Sequence, residues 1–352
     1  MATIVAEHIG RLFISLQQIR QVPRMLTEAT PSMPTTVRDL DVPVYIRDAH
    51  ISSGYRQLHQ NWRYYFLSLF QRHNETLNVW THLVAFLIIL AKSSDLAETV
   101  DFVNDSHAWP LLILLISSLT YTGFSVIAHL LGSKSELCHF TFYFLDYVGV
   151  AQYQYGSAVA HFYYAIDASM HSFVKGIFMP AASVLSCLSF VGCCYGKYHN
   201  SQTWLRKLGH VAPSALAYAW DISPVVKRLI VGSAASNDPA LVFHFGQVAF
   251  FLSSAIFYTF PILEKCFPGR CNFFSQSHQI FHIFLSCTTL CQIHASYLDY
   301  VGRSELYLSL HASGQAAFYV QLYAVTLVVC VLIGSIMLRK LRNVLDVKPK
   351  CM

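Results

Sequence analysis

His278 and His282 stand four residues apart, so a helix carrying them presents both imidazoles on one face, the spacing at which a single helix offers two ligands to zinc. With 17 histidines in 352 residues, one such pair weighs little alone. Weight comes from His129 and Asp146, which sit on two other hydrophobic segments and reach the same depth. Three neutral imidazoles leave a tetrahedral zinc one open position for water, and a nearby carboxylate can orient that water or take its proton. Ser125, one turn before His129, either returns its hydroxyl to its own backbone or donates to a substrate carbonyl beside the metal. Two readings of the histidines stand at this point: a metal centre, and hydrogen bonds between helices.

Such residues need helices to position them, and the composition says of what kind. Charged residues make up 12% of the chain and apolar types 54%, against roughly 25% charged in a soluble domain. This is the composition of a polytopic membrane protein, and it excludes a disordered chain. Eight apolar windows run from about Leu77 to Ala97, Trp109 to Leu131, Phe140 to Tyr164, Phe173 to Tyr195, Val211 to Val231, Leu241 to Leu263, His278 to Leu298 and Ala316 to Leu338. Each approaches the ~20 residues that cross a bilayer. The fifth is the most polar, holding Asp221, Pro224 and the pair Lys227-Arg228. No cleavable signal peptide is read in Met1 to Arg72, which lacks a long apolar stretch near its start. The ten cysteines form no CxxC pair, and the net charge of +5 is not gathered into a basic cluster interleaved with aromatics, so no nucleic-acid partner is expected. The chain therefore divides into an N-terminal segment, 1–75, with an amphipathic run at Ile4 to Ile19 that lies on the membrane or the bundle, an all-α membrane bundle of eight helices, 76–338, and a basic tail, 339–352.

Basic residues set the orientation. With both termini in the cytosol, the inner segments hold Arg56, Arg63, Arg72, Lys134, Lys197, Arg206, Lys207, Lys265, Arg270, Arg339, Lys340, Arg342, Lys348 and Lys350, 14 in all, against 5 outside, Lys92, Lys175, Lys227, Arg228 and Arg303. Ionisable groups inside spans are costly and so are functional candidates, here Glu75, His82, His129, Asp146, His161, His210, Asp221, His244, His278, His282 and His294. At 1.5 Å per residue Asp146 lies about 9 Å from the inner face. His129, His278, His282, Glu75, Asn78 and His82 share that cytosolic layer. Asp221 is expected about 15 Å deep in the fifth helix, in a polar pocket near midplane opened by Pro224.

The residues Asn74-Glu75 with Asn78-Val79-Trp80-Thr81-His82, Ser125-x3-His129, Asp146-Tyr147-x-Gly149 and His278-x3-His282, with 17 residues from His129 to Asp146, resemble the progestin and adipoQ receptor family. Gly54-Tyr55-Arg56, Gly156-Ser157-Ala158, His161-Phe162-Tyr163 and Asp221-Ile222-Ser223-Pro224 look like its membrane progestin receptor branch, alpha or beta type. The resemblance implies a seven-helix core plus one C-terminal transmembrane helix. It also implies a plasma-membrane receptor for progestin steroids that signals through an inhibitory heterotrimeric G protein, with a role in oocyte maturation. Carried over to this chain, the family's zinc ligands fall on His129, His278 and His282, and its water-holding aspartate on Asp146. Relatives in this branch tend to carry glutamine where His210 precedes Pro213-Ser214. An imidazole replaces that amide toward a steroid carbonyl by presenting a protonated nitrogen.

Two functions of different class follow. A steroid is rigid, apolar and polar only at its ends, which suits an aromatic-lined cavity in contact with membrane lipid, with His210 and Asp221 as ligand-binding residues. The alternative is a zinc-dependent amide hydrolase acting on a ceramide-like lipid, in which Asp146 takes a proton from the zinc-bound water and Ser125 steadies the oxyanion. The charge asymmetry makes a direct prediction. Tags at both termini should be reachable only after permeabilisation, and of the sequons at Asn74 and Asn104 only Asn104 should accept glycan. Labelling of the N-terminus on intact cells would contradict the topology.

Overall fold

Eight helices of 18 residues or more account for most of the described chain: α1 (Thr76–Thr99), α2 (Trp109–Leu131), α3 (Glu136–Ala160), α4 (Phe178–His199), α5 (Trp204–Asp221), α6 (Ala240–Thr259), α7 (Ser277–Gly302) and α8 (Ser313–Val347). They are seen in a computed structural model that describes residues 33–199, 204–232 and 238–347. The amphipathic run at Ile4 to Ile19 and residues 348–352 lie outside them. α1, α2, α3 and α4 pack in sequence, α5 lies on α4 and α3, and α6 pairs with α7, which returns to α1 and α2. α8 lies against α2, α3 and α4, outside this seven-helix core. Five helices, α1, α2, α4, α6 and α8, are long and apolar enough to cross a membrane. α3, α5 and α7 are the more polar ones because they turn His, Gln, Ser and Asp side chains into the bundle. The chain is a multi-pass integral membrane protein.

Helix ends follow the local sequence. Pro110 sits in the first turn of α2, where its missing N–H costs nothing, and Ser135 caps α3 by accepting from the Cys138 N–H at 3.2 Å. The fifth window departs from the expected continuous helix between Val211 and Val231. α5 ends at Asp221 and a separate helix spans Ser223–Gly232. Pro224 has no N–H for the Trp220 carbonyl, which takes the Ser223 hydroxyl at 2.8 Å instead. Asp221 is therefore at the end of a helix, on a break, and not within one continuous helix. α3 likewise gives way after Ala160 to a π-helical turn, His161–Ala165, that widens the backbone where His161 meets Asp221.

The segment before α1 folds back under the bundle. Val37–Arg38 pairs antiparallel with Ser53–Tyr55, and Gly54, at φ +93°, accepts from the Asn74 N–H at 2.9 Å. A Cβ there would lie 3.3 Å from that same nitrogen, so turn and contact both call for glycine. Deeper in the core, Gly149 lets α3 approach α2 until a Cβ on it would lie 2.8 Å from the Tyr121 Cα. Gly149→Ala should therefore destabilise the protein by about 1–3 kcal/mol, read as a lower thermal midpoint in detergent. Gly314→Ala, with open space around it, should leave the midpoint unchanged or slightly raised. Equal midpoints for the two variants would contradict the packing.

Candidate metal centre and its cavity

The last turn of α2 brings His129, and the first two turns of α7 bring His278 and His282, to one point at the end of the bundle that carries the segment before α1. One ligand atom from each lies within 4.8 Å of the others, and His129 Nε2 faces His278 Nε2 at 3.4 Å. The outward nitrogens are engaged by α1. His129 Nδ1 donates to Glu75 Oε2 at 2.7 Å, and Asn78 Nδ2 donates to the same oxygen at 2.6 Å. His282 Nδ1 lies 3.2 Å from the Asn78 carbonyl and 3.0 Å from Thr81 Oγ1. Both rings thereby hold their protons on Nδ1 and turn Nε2 inward, the arrangement in which a carboxylate or carbonyl orients a metal-binding imidazole. Three neutral nitrogens with such support are a donor set that fits zinc.

Further supports come from groups outside the spans. Arg56, 1% exposed, donates through Nη2 to the His129 carbonyl at 2.7 Å and to Ser133 Oγ at 3.1 Å, and through Nη1 to Ser68 Oγ at 2.9 Å and to the Leu130 carbonyl. It places a cation on the orphan carbonyls that end α2. Burial, with the Arg56 guanidinium adding to it, holds His73 well below the usual imidazole range. His73 is neutral, donating from Nε2 to the Ser68 carbonyl at 3.1 Å and accepting the Glu75 N–H on Nδ1 at 3.1 Å. Ser277 fixes the start of α7 by giving its N–H and hydroxyl to Glu264 at 2.6 and 2.5 Å.

From the three histidines a cavity of about 350 Å³ runs into the bundle. Along α3 it is lined by Asp146, Val150, Tyr153 and Ser157, and along α7 by His278, His282, Leu285 and Gln292, a length of about 20 Å at 1.5 Å per residue. Ser125 and Asp146 both line it with His129. Its far end is a second polar cluster. Asp221 accepts from Ser157 Oγ at 2.6 Å and from His161 Nδ1 at 2.8 Å, while Gln292 Nε2 donates to Ser157 Oγ at 2.5 Å. Tyr153 gives its hydroxyl proton to Gln292 Oε1 at 2.7 Å, and His161 Nε2 lies 3.2 Å from Gln247 Oε1. Asp221 is thus in the cavity wall, paired with His161. Val211, Ser214 and Tyr218 on α5 line the same wall; the side chain of His210 lies outside the described residues. His244 and His294 do not line it. His244 is tied to Asp299 at 2.8 Å, and His294 packs on Phe243 with ring centroids 4.3 Å apart.

Sequence reasoning placed Glu75 and His82 in the right layer without a role for either, and missed Arg56, Gln247 and Gln292. Arg56 lies outside every span, and the glutamines are neutral, so the cost of burying charge does not mark them. Their one signal is spacing, Gln292 falling 14 residues after His278 on α7 and so close to the same face.

Comparison with known proteins places this geometry. The profile described as Haemolysin-III related matches residues 70–293, from just before α1 into α7. The chain belongs to this family, that of the progestin and adipoQ receptors. Membrane progestin receptor alpha-B of Danio rerio is 56% identical over 316 residues, covering 88% of this chain and 89% of the relative. Membrane progestin receptor alpha of Homo sapiens is 45% identical over 347 residues, covering 98% and 99%, and membrane progestin receptor beta of Homo sapiens is 46% identical over 315 residues, covering 88% and 89%.

The carboxylate support is open to test. Glu75→Gln keeps the shape but removes the charge that orients His129, so affinity for Zn²⁺, read by competition with a chromophoric chelator, should fall about 10- to 100-fold with helical content unchanged. Undiminished affinity would remove Glu75 from the centre.

Proposed function

We propose that this chain is a progestin-binding membrane receptor whose ligand occupies the cavity between the three histidines and the Asp221–His161 cluster. The observation that carries the reading is a long, largely apolar cavity with a polar group set at each end, in a chain that matches named membrane progestin receptors along most of its length. The volume is within the range of small-molecule sites, and Tyr121, Tyr147, Tyr153, Tyr218, Phe251 and Phe281 supply flat apolar walls for a rigid ring system. His129, His278 and His282 hold zinc in this reading, and zinc when bound supplies a fixed Lewis-acid centre at the cavity's inner end. Asp146 orients water at that end. Asp221 serves the ligand from the far end, and His210 on α5 is the second ligand-binding residue of this reading. Eight spans with both termini cytosolic, residence in the plasma membrane among its lipids, coupling to a heterotrimeric inhibitory G protein and a role in oocyte maturation belong to the same reading and rest on the charge pattern and the family resemblance.

A second reading has an observation in its favour. Ser125 and Asp146 line the cavity beside His129, as amide hydrolysis of a ceramide-like lipid would need. Asp146 would take a proton and Ser125 would donate to the carbonyl oxygen. Steroid binding and lipid turnover measured on the same purified protein, with and without His282→Ala, separate the two. The receptor reading expects saturable progestin binding whether or not the protein turns over ceramide. Within it, a steroid carbonyl that loses its donor costs about 1–3 kcal/mol, so His210→Ala should weaken binding about tenfold while His210→Gln largely preserves it. Absence of progestin binding, with lipid amide cleavage lost in His282→Ala, would overturn the receptor reading.

A further inference from the structure

His82 is the imidazole that the hydrogen bonding of the cavity leaves out. It lines the cavity at the histidine end and is 2% exposed, and neither Nδ1 nor Nε2 has a partner. It is not a member of the three-histidine group that can hold a metal. α1 delivers it one turn after Asn78, and its ring is clamped there. It lies flat on His282, with centroids 3.6 Å apart and planes 10° from parallel, and meets Tyr121 edge-on at 5.7 Å.

The polar atoms of the neighbouring rings that follow are committed, and Asn78 Oδ1, one turn earlier on α1, is an unpaired acceptor. Tyr121 Oη is bonded to Thr289 at 2.8 Å, His282 Nδ1 lies against Asn78 and Thr81, and His129 Nδ1 is on Glu75. Around the cavity Gln154 Oε1 and Tyr218 Oη also lack partners, but each is one atom, and both lie beyond Val150 toward the far end. His82 presents two. A neutral imidazole carries one N–H donor and one acceptor nitrogen, and a buried polar atom left unpaired is costly. Held by stacking, the ring cannot swing to a protein partner, and its open side is the cavity.

We propose that His82 binds the oxygen at the inner end of the ligand, its imidazole N–H donating to a carbonyl or hydroxyl there, and so selects ligands that carry oxygen at that end. This rests on the receptor reading above, which supplies the ligand class. His82 acts on the ligand, and the three histidines it adjoins are left to the metal.

The test is equilibrium binding of progesterone and of two analogues, one lacking the 3-oxygen and one the 20-oxygen, to full-length wild type, His82→Leu and His82→Gln, with zinc content measured on each. The wild type should bind one of the analogues about tenfold more weakly than progesterone. His82→Leu should bind progesterone about tenfold more weakly and no longer distinguish it from that analogue, His82→Gln should recover most of the loss, and all three should hold equal zinc. Wild-type affinity in His82→Leu, full discrimination persisting in it, or affinity falling in step with lost zinc in both variants would overturn the proposal while leaving the receptor reading standing. Failure of the wild type to bind progesterone at all would instead overturn the receptor reading, and the proposal with it.

Discussion

A carboxylate withdrawn into the end of a membrane bundle must be met by donors, and Glu75 meets them in His129 Nδ1 at 2.7 Å and Asn78 Nδ2 at 2.6 Å. The rest of the site depends on that contact. It joins α1 to α2, fixes which nitrogen of His129 faces His278, and leaves Asn78 with its carbonyl aimed at His282 on α7. Hydrogen bonds to a charged group are worth about 1.5–3 kcal/mol each, so removing either donor strands part of that buried charge. Arg56 acts from the opposite side, bonding the carbonyls of His129 and Leu130, so the ligand is gripped through its backbone as well as its ring. The juxtamembrane segment is in this sense part of the candidate metal centre.

The far end of the cavity is built by a different rule. Asp221 is bonded there by Ser157 and His161 and through Ser157 is linked to Gln292, and the chain of bonds continues by Tyr153 and Thr289 to Tyr121. That chain ends on the ring that touches His82. Tyr153, Thr289 and Gln292 are buried and each makes side-chain hydrogen bonds, so the wall between the two polar ends is a preorganised surface. A rigid ligand loses little in meeting such a wall, whereas a flexible one must be ordered against it.

Much of this was legible in the sequence, and the failures have physical causes. Helical spacing and a shared depth were enough to bring His129, His278, His282, Asp146 and Ser125 together, because in a membrane bundle depth is fixed by counting residues. Depth carries no information about azimuth, so Glu75, Asn78 and His82 could be placed in a layer but not on a partner. The helix break at Asp221 was hidden because Val225 to Val231 is apolar enough to extend a window across Pro224. His161 and Asp221 were each visible as costly groups, yet their pairing depends on the π turn after Ala160, which leaves no mark in hydropathy. His244 and His294 show the converse, since a costly histidine can simply be satisfied by Asp299 or packed on Phe243.

A zinc ion held by three imidazoles at the inner end of the cavity is the central expectation, and zinc-edge X-ray absorption on the purified full-length protein tests it directly. Three nitrogen ligands at about 2.0–2.1 Å with a lighter oxygen shell are the expected result. Sulfur ligands at about 2.3 Å, or protein that carries no zinc when purified without chelator, would contradict it.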